Sequence, residues 1–445
     1  RLQVRYTSGM QENYFLPIAL ITEPNSILQY SQQLPQAILC KAITSEKEGI
    51  IIDALFDKMF QKALFELMKD GADLFNSTGG LNFETGKALT KYQLPEEGIT
   101  SKILGVEQTN TSIVYNDAFF LKIYRKLENG INPDLELVRF LSEKSQFQNA
   151  PQYGGSILFE QDGQSPIVVG MMQNKIENEG DAWSTVLKDL EAYFNRVLTL
   201  DRTVQPALVK KERLYFMDIP KSMRELISRL TYKRIVKLAE RTAEMHIALN
   251  QAQEDEALTP EQLNIDIQTN ICKNHIALVE EKLGDLEEKL AAFPNQVAEE
   301  AKQVLSQKGV INQCLEQLKH QPIEATQTRV HGDYHLGQVL DSGEDFYIID
   351  FEGEPMRSIE ERRFKTTPFK DVAGMIRSFH YAAYGQLYLN PEHYTQEEMP
   401  LLEKWASYWF HYVSQIFLTA YLDRTEKQSF IPNDKDQLSL LLRTF

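Results

Sequence analysis

The chain has 445 residues, 42% hydrophobic and 25% charged, the composition of a folded globular protein with room for about two or three domains. A net charge of -16 excludes a nucleic-acid binder driven by phosphate contacts, and no apolar run reaches the ~20 residues of a membrane span. Cys40, Cys272 and Cys314 are too scattered for a disulfide framework or a metal spacing, and no signal peptide opens the chain, so a cytoplasmic location is expected.

In "RLQVRYTSGMQENYFLPIALI" the pattern predicts two strands around a "SGMQEN" loop, and "ILCKAIT" and "GIIIDAL" continue the strand-rich block. "DALFDKMFQKALFELMKD" switches to helical spacing, and "NSTGG" and "LPEEG" mark loops. A second block, residues 101–180, holds three strand-like runs in "SKILGVEQTNTSIVYNDAFFLKIYRKL", then a helix with Asn132 as N-cap and Pro133 at its first position. "SILFE" and "IVVGMMQNKI" complete a small antiparallel sheet. Residues 181–445 are nearly all helical, except two short strands around "RVHGDYHLGQVLDSGEDFYIIDFEGEP". A sheet-rich part followed by a helical body with a polar loop between two strands is a two-lobed, α+β, protein-kinase-like arrangement. The start lacks a methionine and the apolar helical end "DQLSLLLRTF" has no stop signal, so a longer polypeptide is expected at both ends.

The polar loop carries the chemistry. Phosphoryl transfer from ATP needs a carboxylate at the acceptor hydroxyl, a second carboxylate and a side-chain carbonyl on Mg²⁺, and a lysine on the phosphates, fixed by an acidic partner. Here His331, Gly332 and Asp333 are followed after four residues by Gln338, and a strand-turn-strand unit then delivers Asp350. The spacing matches the kinase catalytic loop, with Asp333 as base and Gln338 and Asp350 as metal ligands. His335 could orient the loop, contact substrate or simply pack.

Upstream, "FFLKIYR" places Lys122 on a strand opposite in facing to Leu121 and Ile123. Glu136, early in the next helix, is its expected partner, with Glu128 and Glu143 as competitors. In place of a glycine-rich loop, "EQTNTS" from Glu107 to Ser112 would cover the phosphates with hydroxyls and backbone N–H groups, Thr111 and Ser112 among them. The adenine is expected against the segment after "IVVGMM", at Gln173 and Lys175.

"HGDYHLGQVL", "IIDFEGEP", "ERRFKTTPFKDVAGMIRSFHYAA", "NTSIVY", "FLKIYRKLENGINPDLELVRFL" and "PQYGGSI" together resemble the bacterial maltokinases, members of the aminoglycoside-phosphotransferase-like kinases, from about Tyr6 to the end. The resemblance implies ATP-dependent phosphorylation of maltose at its anomeric hydroxyl, giving maltose 1-phosphate for α-glucan synthesis, with ATP and Mg²⁺ as cofactors. It implies an N-terminal cap subdomain in residues 1–100, a nucleotide-binding sheet in 101–180 and a helical lobe with the sugar site in 181–445. It assigns Asp333, Gln338, Asp350, Lys122 and Glu136 the roles above, and Asp371 the bracing of the catalytic loop from a helix below. Some members of that family are fused to trehalose synthase, a covalent or associated partner expected here as well. Candidates for the sugar are His335, Glu352, Glu354, Arg362, Arg363 and the aromatics Tyr381, Tyr384, Trp405 and Trp409. At helical spacing such aromatics more often form a core, and Arg362 and Arg363 could instead pair with Glu352 or Glu354. The alternatives are a kinase of the same fold for glucosamine or an aminoglycoside, which an acidic pocket would favour, and an inactive kinase fold that binds a partner.

Overall fold

The structure is a computed structural model and describes residues 1–43, 48–77, 79–106, 110–201, 204–205, 207–253, 255–389 and 393–445. The fold is α+β, and the chain divides into two compact units. The first comprises Arg1–Glu179 and Tyr347–Arg363, and the second Gly180–Phe346 and Phe364–Phe445.

The first unit is built on a seven-stranded antiparallel sheet. Its strand order is Asp73–Asn76, Gly79–Thr85, Tyr153–Glu160, Ile167–Asn174, Phe119–Tyr124, Asn110–Tyr115 and Ser101–Val106. Two of these strands come from before residue 100, so the sheet draws on both strand-rich blocks of the sequence. Alternation decides which face is buried: Phe119, Leu121 and Ile123 enter the core, where Phe65 and Met68 of helix Lys58–Asp70 meet them. Lys122 therefore points the other way, in register with Ser112 on one side and Met171 on the other.

Two smaller sheets complete this unit. Ile18–Ile21, Glu48–Asp53 and Ile38–Ile43 pack on helix Pro24–Gln33 around Tyr30, Ala37, Ile50 and Ile52. Leu2–Arg5 and Gln11–Tyr14 pair onward with Lys126–Leu127, just beyond the lysine-bearing strand. The opening sequence thus forms three strands rather than two, because Pro17 separates Gln11–Tyr14 from Ile18–Ile21. The helix Pro133–Glu143 starts where its cap signal predicts: the Asn132 side chain accepts the Asp134 N–H at 2.9 Å.

In the second unit, helices Ala182–Leu198, Arg229–Asn250, Phe369–Tyr388 and Met399–Thr425 bury Tyr193, Leu238, Phe379, Trp409 and Phe417 between them. Strand Val339–Asp341 pairs with Gly180–Asp181, and the Asp341 side chain is tied down by the Thr185 hydroxyl at 2.8 Å. Helix Phe369–Tyr388 presents Asp371, Gly374 and Ser378, one helical face, to the loop around Asp333. Ser378 accepts the Leu336 N–H at 3.1 Å. At Gly374 the helix lies so close that an added Cβ would sit 2.6 Å from the Tyr334 carbonyl oxygen.

Gly374 gives a test of this packing. In a free helix Gly→Ala gains up to about 1 kcal/mol. Here a backbone atom blocks the methyl, and overpacking of this kind costs about 1–3 kcal/mol. Gly374→Ala is expected to lower the melting temperature by a few degrees in a thermal scan. A rise would mean that the helix and the loop are not in contact.

Candidate active site

The strand Phe119–Tyr124 delivers Lys122 into a group of three carboxylates, all within the first unit. Its Nζ lies 2.7 Å from Asp350 Oδ1, 3.7 Å from Asp134 Oδ2, and in direct contact with Glu352. Burial alone would push the lysine pKa down, but the three carboxylates outweigh it and hold the ammonium charged, well above its usual range. Three anions share one cation, and Asp134 is the most buried of them, its side chain 3% exposed. Burial therefore pushes the Asp134 carboxyl upward, against the pull of Lys122 and reinforced by Asp350 and Glu352.

Asp134 has two further partners. It accepts the Phe351 N–H at 3.0 Å and the Tyr124 O–H at 3.2 Å. One side chain thus links the lysine strand, the start of helix Pro133–Glu143 and the turn after Asp350. That turn is conformationally unusual, since Asp350 adopts φ +65°, a left-handed geometry that a non-glycine residue holds only when its surroundings impose it.

Glu136 does not take the role expected of it. Its carboxylate is bonded to the Arg363 guanidinium at 2.6 and 3.2 Å, and Asp134 stands by Lys122 in its place. Helix geometry gives the reason. Residues two apart project roughly 200° apart, so only one of Asp134 and Glu136 can face the lysine. The acidic "PDLE" start signalled a carboxylate there, but not which one.

Other sequence candidates fall in different places. Thr111 is fully buried and its hydroxyl accepts from Arg125 at 2.8 Å; Ser112, in register with Lys122, stays half-exposed. Glu107 to Thr109 of the expected phosphate cover lie outside the described residues. Lys175 pairs with Asp117 at 2.6 Å, and Gln173, next to last in the strand Ile167–Asn174, is half-buried. Glu352 is committed to Lys122, Arg362 to Glu128, Arg363 to Glu136, and Glu354 to Arg357 at 2.7 Å. Trp405 and Trp409 are core residues, 2% and 0% exposed. Tyr384 is half-buried, whereas Tyr381 is 56% exposed beneath the Arg377 guanidinium.

In the second unit, Asp333 sits half-exposed on a loop held from below. Asp371, fully buried, accepts the His331 N–H at 2.7 Å and the Gly332 N–H at 2.9 Å, and lies 3.0 Å from His246 Nε2. Burial would raise this carboxyl, but His246, His331 and the loop N–H groups outweigh it and hold it below the ordinary carboxylate range. His246 in turn meets the Tyr421 hydroxyl at 2.9 Å. His246 and Tyr421 carry no motif of their own in sequence. The His335 Nδ1 accepts the Gly337 N–H at 3.1 Å and caps the turn Leu336–Gln338.

No family model matches the chain. Among curated proteins, a glucosamine kinase of Streptacidiphilus jiangxiensis is 21% identical over 289 residues, 64% of this chain and 56% of that protein. A glucosamine kinase of Mycolicibacterium smegmatis is 42% identical over 53 residues, 12% of this chain and 13% of that protein. The chain thus spans little more than half of the first relative and about an eighth of the second. Among solved structures, a glucosamine kinase in complex with glucosamine, ADP and inorganic phosphate is similar over 99% of this chain and 83% of that one, with a TM-score of 0.62 and 15% identity. A second crystal structure of glucosamine kinase gives the same TM-score at 16% identity, over 99% of this chain and 81% of that one. The chain has the kinase-like fold seen in the glucosamine kinases.

Proposed function

We propose that this chain is an ATP- and Mg²⁺-dependent kinase that phosphorylates a hydroxyl of a small sugar, with an amino sugar of the glucosamine type as acceptor. The observation that carries the reading is the 2.7 Å contact between Lys122 and Asp350. It brings a lysine on a sheet strand beside a carboxylate 228 residues later, the two charges that a kinase uses on the phosphates and on Mg²⁺ respectively. The likeness to glucosamine kinase over 99% of the chain supports the same reading and favours the amino sugar.

Each role follows from chemistry. Lys122 neutralises phosphate charge on ATP. Asp350, with Asp134 and Glu352 beside it, offers carboxylate oxygens that lie within 4.8 Å of one another. Hard oxygen donors with surplus negative charge suit Mg²⁺, which would neutralise the phosphates. Asp333 accepts the proton of the sugar hydroxyl as its oxygen bonds to the γ-phosphorus. The β–γ phosphoryl bond breaks and ADP leaves.

Maltose, phosphorylated at its anomeric hydroxyl, is the second reading. Its support is the run "DFEGEP" to "PFKDVAGM" that resembles the maltokinases. That support is weakened because Glu352, Arg362 and Arg363 of this run are engaged in internal ion pairs. Arg362 and Arg363 would have to leave Glu128 and Glu136 to bind sugar hydroxyls.

An ATP-consumption assay with glucosamine, maltose, glucose and kanamycin separates the readings. Glucosamine is expected to give the highest kcat/KM. A higher value for maltose, with phosphorus coupled to the anomeric proton in the product spectrum, would replace the first reading by the second. No turnover with any acceptor and no ADP binding would remove the kinase reading altogether.

Two substitutions test the roles. Asp333→Asn is expected to lower kcat by at least about 100-fold, the usual loss of a general base, while ADP binding persists. A variant retaining a tenth or more of kcat would deny Asp333 that role. Asp350→Ala is expected to abolish the strengthening of ADP binding by Mg²⁺ in calorimetry. An unchanged Mg²⁺ effect would show that the metal is held elsewhere.

A further inference from the structure

The turn from Asp350 to Gly353 is bracketed by two residues in left-handed conformation, Asp350 at φ +65° and Gly353 at φ +71°. Such a turn persists only when anchored at both ends. Asp134 anchors the Phe351 N–H. The other anchor is Arg362, whose Nη1 donates to the Glu352 carbonyl oxygen at 3.3 Å and stands 3.9 Å from the Glu352 carboxylate. Its Nη2 is bonded to Glu128, and its aliphatic stem lies over Gly353, so that a Cβ there would meet the stem at 3.4–3.6 Å.

The geometry points to Arg362 as a positioning residue for the nucleotide and metal end of the site, acting through Glu352 rather than on the acceptor. The inference rests on the kinase reading above. Ion pairs alternate in sign from Glu128 to Arg362, Glu352, Lys122 and Asp350, all inside one unit. Arg362 holds the Glu352 main chain and keeps its carboxylate beside the lysine. The lysine is thereby shared between Glu352 and Asp350, and the Asp350 carboxylate keeps its aim while its backbone is strained.

Two observations exclude direct contact with an acceptor. The Arg362 side chain is only 4% exposed, and its Nε is buried with no hydrogen-bond partner among the described residues. Reaching a sugar would require it to leave Glu128 and Glu352 together. A guanidinium also suits the task better than an ammonium. Its fixed fork serves Glu128 with one nitrogen and Glu352 with the other, whereas a lysine is a single point charge.

Calorimetry of ADP with and without Mg²⁺, on the full chain and on Arg362→Met and Arg362→Lys, tests the proposal without relying on turnover. Residues that orient metal ligands typically contribute about 10–100-fold to metal affinity. Arg362→Met is expected to weaken ADP binding in Mg²⁺ by about 10-fold or more, with metal-free ADP binding and acceptor KM each within about threefold of wild type. Arg362→Lys should recover part of the loss, and carries the test alone if Arg362→Met does not fold. A raised acceptor KM with unchanged Mg²⁺–ADP affinity would make Arg362 an acceptor residue and overturn the proposal. Equal loss with and without Mg²⁺, or no loss, would overturn it too. If the wild-type chain binds ADP with no Mg²⁺ effect, this inference falls and the metal role falls with it; if it binds no ADP, the kinase reading itself has failed.

Discussion

A lysine ammonium withdrawn from water between three carboxylates is the constraint around which the first unit is arranged. Burying such a cation without a partner carries a penalty of several kcal/mol, and removing one member of a buried pair typically costs about 3–5 kcal/mol. Lys122 is compensated more than once, by Asp134, Asp350 and Glu352. The compensation is also excessive, since three anions face one cation. A cluster left with surplus negative charge is held together by its hydrogen bonds and backbone anchors, not by charge balance alone. This accounts for the Phe351 N–H on Asp134, the Arg362 fork on Glu352 and the left-handed Asp350 in one short turn.

The second unit solves a similar problem in another way. Asp371 is as buried as a carboxylate can be, yet no lysine or arginine among the described residues forms an ion pair with it. Two backbone N–H groups and an imidazole hold its charge instead, and each of these donors belongs to an element that the carboxylate must fix. A mobile cation would satisfy the charge but not the geometry. Backbone donors from His331 and Gly332 do both, because Asp371 can keep its hydrogen bonds only while the loop keeps its shape. Gly374 contributes by absence, since any side chain there would displace the Tyr334 carbonyl.

The parts of this arrangement that were legible in the sequence are those set by local periodicity. Alternation in "FFLKIYR" put Lys122 on the face opposite the core, and the Asn-Pro cap placed the next helix to the residue. The spacing from Asp333 to Gln338 and Asp350 located the polar loop and its hairpin. What could not be read were choices among near neighbours. Asp134 and Glu136 differ by two helical positions, and Thr111 and Ser112 by one strand position, yet in each pair one faces Lys122 or its strand face and the other does not. Those choices depend on the rotation of one element against the next, which a single sequence does not encode locally. His246 and Tyr421 illustrate a further limit. A histidine on an apolar helix face looks like ordinary core until the carboxylate it meets, 125 positions away, is known.

At the acceptor, motif and ion pairs point in different directions. The run that resembles the maltokinases includes Glu352, Arg362 and Arg363, and these side chains are engaged in ion pairs within the first unit. Under the kinase reading proposed above, acceptor choice would then rest on other side chains. Tyr381, on the helix that also braces the loop, is more than half exposed, with the Arg377 guanidinium stacked on its ring and bonded to its hydroxyl at 3.2 Å. An aromatic face tolerates any sugar ring, so discrimination between a cationic amino sugar and a neutral disaccharide would fall to the charges around it. A neighbouring arginine opposes the first and is indifferent to the second, whereas the overall charge of -16 opposes neither sugar and favours the cation. Local and global electrostatics pull in opposite directions here. At an exposed position a single nearby charge is screened within about 8–10 Å, so the balance is decided by the groups that line the acceptor itself.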